Sequence, residues 1–305
     1  MKIAVVGSSN TDMIIKSQHI PRPGETVLGG VFQTAAGGKG ANQAVAAART
    51  GGDVSFIARV GDDMFGHSAI EGFRRDGINV DHITIDKNSP SGVALIMVDD
   101  NGENSIAVAG GANNKLGRED VEAAQHAIAD AKVLLMQLEI PLHAVKAAAE
   151  IANKHNVPVI LNPAPAQKLP AELLQRIAII TPNETEAELF TGIKVSDRET
   201  ALAAAKALRT MGPDIVIITI GASGVFLSSP EFEGAIPGFE QDAVDTTAAG
   251  DVFNGALASR LALGATIQEA VRYAQAAAAI SVTRMGAQPS APKNDEIEAF
   301  LRSKK

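Results

Sequence analysis

The sequence predicts an α/β protein: a three-layer α/β/α domain on a mainly parallel central sheet, with a small additional β-sheet. Two observations carry the main domain. Short runs of Val, Ile and Leu recur along the chain, nearly continuous rather than alternating, as in strands covered on both faces. Alanine-rich helical stretches separate them, and this alternation builds a parallel sheet through right-handed crossovers. The additional sheet comes from two segments, 12–36 and 91–109, that break the rhythm and read as hairpins.

The chain opens with "KIAVVG" (2–7), which reads as a first strand and not a signal peptide, because it turns polar without a small-residue cleavage site. The 12–36 hairpin follows, with "PRPGET" (21–26) as its turn. A helix is expected over 39–50, then a strand at "VSFIARVG" (54–61). The 91–109 hairpin sets "NG" and "GEN" between two alternating strands. Helices over 118–130, 141–155 and 198–211 then alternate with strands "VLLMQL" (133–138), "VPVIL" (157–161), "IAIIT" (177–181) and "DIVIITIG" (214–221). Helices over 249–263 and 266–283 complete the pattern.

Helix ends carry their own signals. Thr266 and Glu269 fit a capping box. Thr181, Pro182 and Glu184 fit another, with Pro at the first helical position. Val252, Phe253, Ala256, Leu257 and Leu263 form the expected buried face of the 249–263 helix. The run "AAAA" (276–279) reads as close helix packing.

Composition narrows the function classes. With 305 residues, 46% hydrophobic and 20% charged, the chain suits one large domain over 1–305 with a small appendage at least as well as two domains, and disorder is excluded. No apolar run approaches the roughly 18 residues of a spanning helix, so no membrane association is expected. Cysteine is absent, which removes disulfides, thiolate nucleophiles and Cys-based zinc sites and makes the cytoplasm the expected compartment. The six His residues never stand at metal-ligand spacing. A net charge of −8 without a basic block argues against nucleic acid.

In parallel sheets, ligands sit at the carboxyl ends of strands. "TTAAGDVFNGA" (246–256) puts Ala248, Ala249 and Gly250 before an aspartate at the mouth of a helix. Their small side chains leave backbone N–H groups open to an anion. Asp251 is badly placed for plain phosphate binding. It is well placed to take a proton from a group attacking phosphorus, although it also reads simply as a helix-dipole complement. "AAGGKGANQAVAAART" (35–50) supplies a glycine turn with Lys39 and Asn42. It is neither a Walker A nor a dinucleotide fingerprint, since Gly40 follows Lys39 and Gln43 stands at the last glycine. Its bland reading is a structural turn.

Three further stretches bear candidates. In "GSSNTD" (7–12), Asn10 and Asp12 fall on one side and suit adjacent hydroxyls. Glu139 follows a strand end. In "TPNETEAE" (181–188), capping accounts for Glu184 and leaves Asn183 and Glu186 for a Mg²⁺–water shell. "TIGASGV" (219–225) is a strand end with two glycines, a cradle for the remainder of a nucleotide. No G-x-S-x-G elbow occurs.

Taken together and in order, "GSSNTD", "GGKGANQAVAA", "LLMQLE", "LNPAPA", "TPNETEAE", "VDTTAAGDVFNGA" and "TRMGAQPSAP" resemble the ribokinase-like carbohydrate kinase family over essentially the whole chain. The GGKGAN turn and the DTTAAGD–FNGA stretch are the family-specific ones. The resemblance implies ATP-dependent phosphorylation of D-ribose at O5, giving D-ribose 5-phosphate and ADP. It makes Asp251 the general base, with Ala248, Ala249 and Gly250 as anion hole. Asn10, Asp12, Gly38, Lys39, Gly40, Asn42 and Glu139 would hold the sugar. Asn183, Thr219, Gly221, Gly224 and Gly250 would line the ATP site, with Glu186 ordering Mg²⁺. Gln275 stands where some members carry His near the adenine. A monovalent cation, usually K⁺, would sit among Asp245, Thr247, Ser281, Arg284, Gly286 and Ser290, partly on backbone carbonyls. The hairpins would form the lid and a homodimer contact. Rival readings are a fructokinase, a deoxyribokinase or a nucleoside kinase of the same family, and, from another class, a sugar-responsive regulatory protein on this scaffold.

Overall fold

The computed structural model describes residues 1–304. Its larger sheet is built from β1 (Lys2–Val6), β4 (Asp53–Gly61), β5 (Ile83–Asp86), β8 (Val133–Met136), β9 (Val159–Leu161), β10 (Ile179–Ile180), β11 (Ile215–Thr219), β12 (Gly224–Ser228) and β13 (Glu233–Pro237). The smaller sheet takes β2 (Asn10–Lys16), β3 (Val31–Gly37), β6 (Gly92–Val98) and β7 (Asn104–Ala109). In the larger sheet the order is β13-β12-β11-β10-β9-β8-β1-β4-β5, all parallel except for the antiparallel β11–β12–β13 edge.

Helices cover both faces. α1 (Lys39–Arg49), α2 (Met64–Arg75), α9 (Ala249–Ala262), α10 (Ile267–Ser281) and α11 (Asn294–Ser303) lie on one side. α3 (Arg118–Ala123), α4 (Gln125–Ala129), α5 (Leu142–Lys154), α6 (Ala171–Leu174), α7 (Glu184–Thr191) and α8 (Arg198–Thr210) lie on the other. Strand alternation feeds the two cores. Val5, Leu135, Ile160 and Ile217 point to the first, while Val6, Leu134, Leu161 and Val216 point to the second. Each such side chain is fully buried and contributes roughly 1.5–3 kcal/mol. Both faces being apolar explains the continuous Val/Ile/Leu runs.

Some expectations need correction. The 118–130 helix is interrupted at Ala124. The third-quarter helix is capped by Asn183, not Thr181: Asn183 Oδ1 accepts from Glu186 N and Glu186 Oε2 accepts from Asn183 N, so Pro182 lies outside the helix. Leu263 follows α9 and is 41% exposed, whereas nearly the whole circumference of that helix is buried. Helices α2 and α11 and strands β5, β12 and β13 carry weaker signals and go beyond the pattern drawn from the sequence. Strands β12 and β13 are reached by a tight turn at Gly221–Ser223, which reverses the chain after β11 and makes this edge antiparallel.

Both hairpins form, and they join each other. β2 pairs antiparallel with β3 and β6 with β7, while β2 and β6 run parallel at the centre of a β3-β2-β6-β7 sheet. Because β1 leads straight into β2, this sheet is rooted at the carboxyl end of β1, an inner strand of the larger sheet. From β1 the chain winds outward through β4 and β5, then returns to build β8 to β11 on the other side. The β1–β8 boundary is therefore the topological switch point, where a crevice opens beyond the strand ends.

Candidate active site

The switch point is closed by one hydrogen bond. Ser8 Oγ, just after β1, donates to Glu139 Oε2, just after β8, at 2.6 Å. The same Glu139 oxygen accepts the Lys39 backbone N–H at 2.9 Å. Helix α1 begins at Gly38, which offers no side-chain cap, so the carboxylate serves that end from across the crevice. Gly38 itself has φ 90°, and a Cβ there would stand 2.7 Å from Asn10 N, so only glycine lets the turn lie against β2.

Asp251 lies in the first turn of α9 and is buried. Asn42 Nδ2 donates to its Oδ2 at 3.0 Å and Gln43 Nε2 to its Oδ1 at 2.9 Å. Burial pushes its carboxyl above the ordinary carboxylate range, and Glu139 adds to this, against the pull of Lys39, Asn42 and Gln43. Burial also pulls the Lys39 ammonium down, but Asp251, Glu139 and Glu186 outweigh it and hold it above its usual value. Lys39 therefore stays charged.

Asp12 projects from β2 against Gly37 of β3; a Cβ on residue 37 would stand 2.4 Å from either carboxylate oxygen. Burial first, then the charges of Glu139 and Asp251, push Asp12 up to about 6. Asn10 is held by Asn113, whose Nδ2 donates to Asn10 Oδ1 at 2.7 Å. That fixes the Asn10 amide with its own Nδ2 free to donate. Asp12, Lys39, Asn42, Glu139 and Asp251 thus meet in one crevice, with Asn10 at the root of β2. Three carboxylates against one ammonium suit a neutral, hydroxyl-rich ligand, which accepts and donates at once. A phosphorylated sugar would meet net repulsion there.

On the other side of the α9 N-terminus is a second cavity of about 270 Å³. Thr219, Gly221, Gly224, Gly250 and Gln275 all line it, together with Ala249 and the apolar Val225, Phe239 and Phe253. Gln275 Nε2 donates to Ile236 O at 2.9 Å, which turns the amide towards β13. Asn183 and Glu186 do not line this cavity. They stand beside it, since Asn183 bridges to Thr219. Their capping bonds occupy the Asn183 oxygen and one Glu186 oxygen, and burial pushes the Glu186 carboxyl up.

The turn into α9 has an unusual backbone. Ala248 adopts φ 59°, the left-handed region that a non-glycine residue enters at a cost, and no side chain caps the helix. Ala249 N donates to Thr246 O at 3.3 Å and Val252 N to Ala248 O at 2.8 Å, so the Gly250 and Asp251 N–H groups are the ones left for an outside acceptor. A Cβ at Gly250 would meet nothing within 4 Å, so open space lies above that residue.

Of the residues expected at a monovalent cation, Asp245, Thr247 and Gly286 are joined directly. Asp245 Oδ1 accepts from Thr247 N at 2.9 Å and Oδ2 from Gly286 N at 2.8 Å, tying the two loops together. Although burial pushes Asp245 up, these bonds prevail and hold its carboxyl below the usual range. Ser281 and Ser290 hydroxyls donate to the Ala278 and Ala287 carbonyls. Arg284 turns its guanidinium to Glu296, leaving only its backbone carbonyl for such a role.

Sequence reasoning missed the polar side chains beneath the crevice. Ser8, Gln43, Asn113, Gln137, Asn162 and Asn254 are all buried. A signal existed for Gln43, a polar residue within the alanine run of α1. Ser8, Gln137, Asn162 and Asn254 lie inside stretches that carry the family resemblance but had no role of their own in it, and nothing local marked Asn113.

Comparison with known proteins gives the family and the fold. The sequence matches the family described as pfkB family carbohydrate kinase over residues 1–294. It is 48% identical over 299 residues to a ribokinase of Haemophilus influenzae, covering 98% of each chain. It is 37% identical over 302 residues to a deoxyribokinase of Salmonella typhi, covering 99% of each. Its fold superposes on the Arabidopsis thaliana ribokinase solved with ribose and ATP with a TM-score of 0.91 at 34% identity, covering 99% of this chain and 98% of that one. With its fold and its match along nearly the whole length, the chain belongs to the pfkB family of carbohydrate kinases.

Proposed function

We propose that this protein is a ribokinase, transferring the γ-phosphoryl group of ATP to the 5-hydroxyl of D-ribose and releasing ADP and D-ribose 5-phosphate. One observation carries the reading. Gly250 and Asp251 are neighbours in sequence, yet Gly250 lines the cavity of about 270 Å³ while the Asp251 carboxylate joins Asn42, Lys39, Asp12 and Glu139. A single helix start therefore faces both reactants. Relatives named ribokinase at 40–48% identity support the choice of sugar.

In this reading, Asn10, Asp12, Lys39, Asn42 and Glu139 hold the sugar, with Gly38 and Gly40 letting backbone approach it. Thr219, Gly221, Gly224 and Gln275 hold ATP. Asp251 accepts the proton of the 5-hydroxyl as the new O–P bond forms and the bond to the ADP oxygen breaks. General-base help of this kind is worth ~10²–10⁴-fold. The Gly250 N–H, which has no backbone acceptor of its own, takes up charge on the moving phosphoryl oxygens, with Ala248 and Ala249 shaping the turn that presents it. Positioning and charge stabilisation supply most of the catalysis in such transfers.

Mg²⁺ fits beside Asn183 and Glu186. No group of three metal-binding side chains occurs among the described residues, in keeping with an ion held by water and phosphates. When bound, it would neutralise phosphate charge. The carboxylate of Asp245 and the carbonyl and hydroxyl oxygens near it suit K⁺, with Thr247, Ser281, Arg284, Gly286 and Ser290 contributing mainly carbonyls.

The whole chain, 1–305, would act as one kinase unit, with the β3-β2-β6-β7 sheet as its lid. Closing that lid would exclude water as a competing acceptor. The lid leaves Phe32, Leu95, Ile106 and Val108 more than half exposed. Such a patch supports a homodimer through the lid, which sedimentation velocity tests directly. No described helix is long and apolar enough to cross a membrane. We assign the protein to the cytoplasm, where ATP is available.

An ADP-release screen over ribose, deoxyribose, fructose, ribitol and adenosine tests the function. Ribose should give the highest kcat/KM. A preference for deoxyribose would move the protein to the other named activity among its relatives. Release independent of any sugar would remove the reading.

A further inference from the structure

We infer that Gln43 and Gln137 are positioning residues that hold the Asp251 carboxylate ionised and aimed into the crevice; the inference rests on the reading of Asp251 as the base. Both glutamines are 0% exposed and neither belongs to the sugar or nucleotide set. The Gln43 amide nitrogen has two hydrogens. One goes to Asp251 Oδ1 at 2.9 Å and the other to Asn162 Oδ1 at 3.0 Å. Gln43 Oε1 accepts from Gln137 Nε2 at 2.6 Å.

The direction of this chain is forced. An ionised carboxylate can only accept, so Gln43 must turn its nitrogen to Asp251. Its oxygen then faces Gln137, which must donate. Gln137 Oε1 is left buried without a partner, an expense otherwise hard to explain. It follows from orienting the chain from the Asp251 end. Space for that oxygen exists only because residue 7 is glycine: a Cβ there would lie within bonding range of Gln137 Oε1 and 2.6 Å from Gly40 Cα.

A second branch reaches the same helix start. Asn162 Nδ2 donates to Thr181 O at 3.2 Å, Thr181 Oγ1 to Asn254 Oδ1 at 2.7 Å, and Asn254 Nδ2 to Gly250 O at 2.8 Å. The network thus grips both Asp251 and the carbonyl of its neighbour. A buried carboxylate without donors takes up a proton and loses its use as a base. The charged groups that face Asp251 are Lys39 from α1, Glu139 from the end of β8, Asp12 from β2 and Glu186 from α7. One cation stands against three carboxylates and burial, and the amide donors work with Lys39 against that rise.

Gln43→Met and Gln137→Met keep approximate shape and remove the donors. The readouts are kcat against pH, KM for ribose and ATP, and the melting temperature. For Gln43→Met, the acid limb of kcat should move up by about one pH unit or more. At neutral pH kcat should fall about tenfold, with both KM values little changed, and recover as pH rises. Gln137→Met should do the same to a smaller extent. Gln43→Glu, which sets an acceptor opposite Asp251, should push the limb higher still. A fall in kcat with no movement of the limb, or wild-type profiles in the folded variants, overturns the inference. Should Gln43→Met fail to fold, Gln137→Met, one bond further from the carboxylate, carries the same test. Asp251→Asn is run in parallel. If it keeps turnover, the base reading itself fails; if it loses turnover while the glutamine variants titrate as wild type, only this inference fails.

Discussion

Glu139 Oε2 lies 2.9 Å from the Lys39 backbone nitrogen, so a carboxylate from the end of β8 caps helix α1 across the crevice. Helix α1 carries no acid in its first turn and no side-chain cap of its own. Lys39 and Asn42, proposed to hold the sugar, sit in that first turn, so the cap sets their position as well as stabilising the helix. Glu139→Gln keeps an acceptor for the Lys39 N–H and should melt close to wild type, with a raised ribose KM. Glu139→Ala should raise KM and also cost about 1–3 kcal/mol in denaturant unfolding, the range of a lost charge-assisted bond. An alanine variant as stable as wild type removes the cap from the account.

Asp251→Asn should lower kcat by ~10²–10⁴-fold while ribose and ATP still bind. Asn keeps the shape and can still bond Asn42 or Gln43 through its oxygen, so loss of turnover would report loss of the base. Single-turnover kinetics, with calorimetry for binding, separate the two.

Asp12 gives a pH signature of its own. Its carboxyl is pushed up to about 6 in the folded protein, against 3.8 for the ordinary group. Between those values the folded state keeps a proton that the unfolded chain has released, so stability is lost as pH rises through this window. Asp12→Asn removes the penalty. The unliganded variant should melt higher than wild type above the folded value, with the gain shrinking as pH falls towards the unfolded one. Ribose KM of the wild type should rise as pH drops through about 6, because the protonated acid is a poorer acceptor for sugar hydroxyls. A KM flat across that range would exclude Asp12 from sugar binding.

In the proposed cation site Asp245 would be the anchor, since it bonds the backbone at Thr247 and Gly286. Activity should rise with K⁺ and fall when Na⁺ replaces it at constant ionic strength. Asp245→Ala should abolish the response and loosen the turn leading into α9. Initial rates titrated with each salt decide this, and indifference to the cation would dissolve the assignment.

Packing of α1 on α9 brings Asn42 and Gln43 to Asp251, and Gly255 is the point of closest approach. A Cβ there would lie 2.6 Å from Ala46 Cβ and closer still to Gln43 O. Gly255→Ala should therefore push the helices apart, costing about 1–3 kcal/mol in stability and lowering kcat. Unchanged values in both would mean that the two helices tolerate separation.

The amino-acid sequence by itself determined the alternation of strands and helices, the two hairpins and the chemical character of each strand-end motif. These are local properties: apolar periodicity, turn chemistry and glycine placement act within a few residues. It was also enough to name Asp251, Asn10, Asp12, Lys39, Asn42 and Glu139 as candidates. Only the tertiary structure decided that Gly250 and Asp251 face different cavities, that Asn183 and Glu186 cap each other, and that Glu139 caps α1. Nor could the sequence place Gln43 and Gln137 under the base, because their partners lie about a hundred or more residues away. The physical reason is that a buried polar group must find whatever donor or acceptor the folded chain brings to it, and no local pattern encodes which one that is.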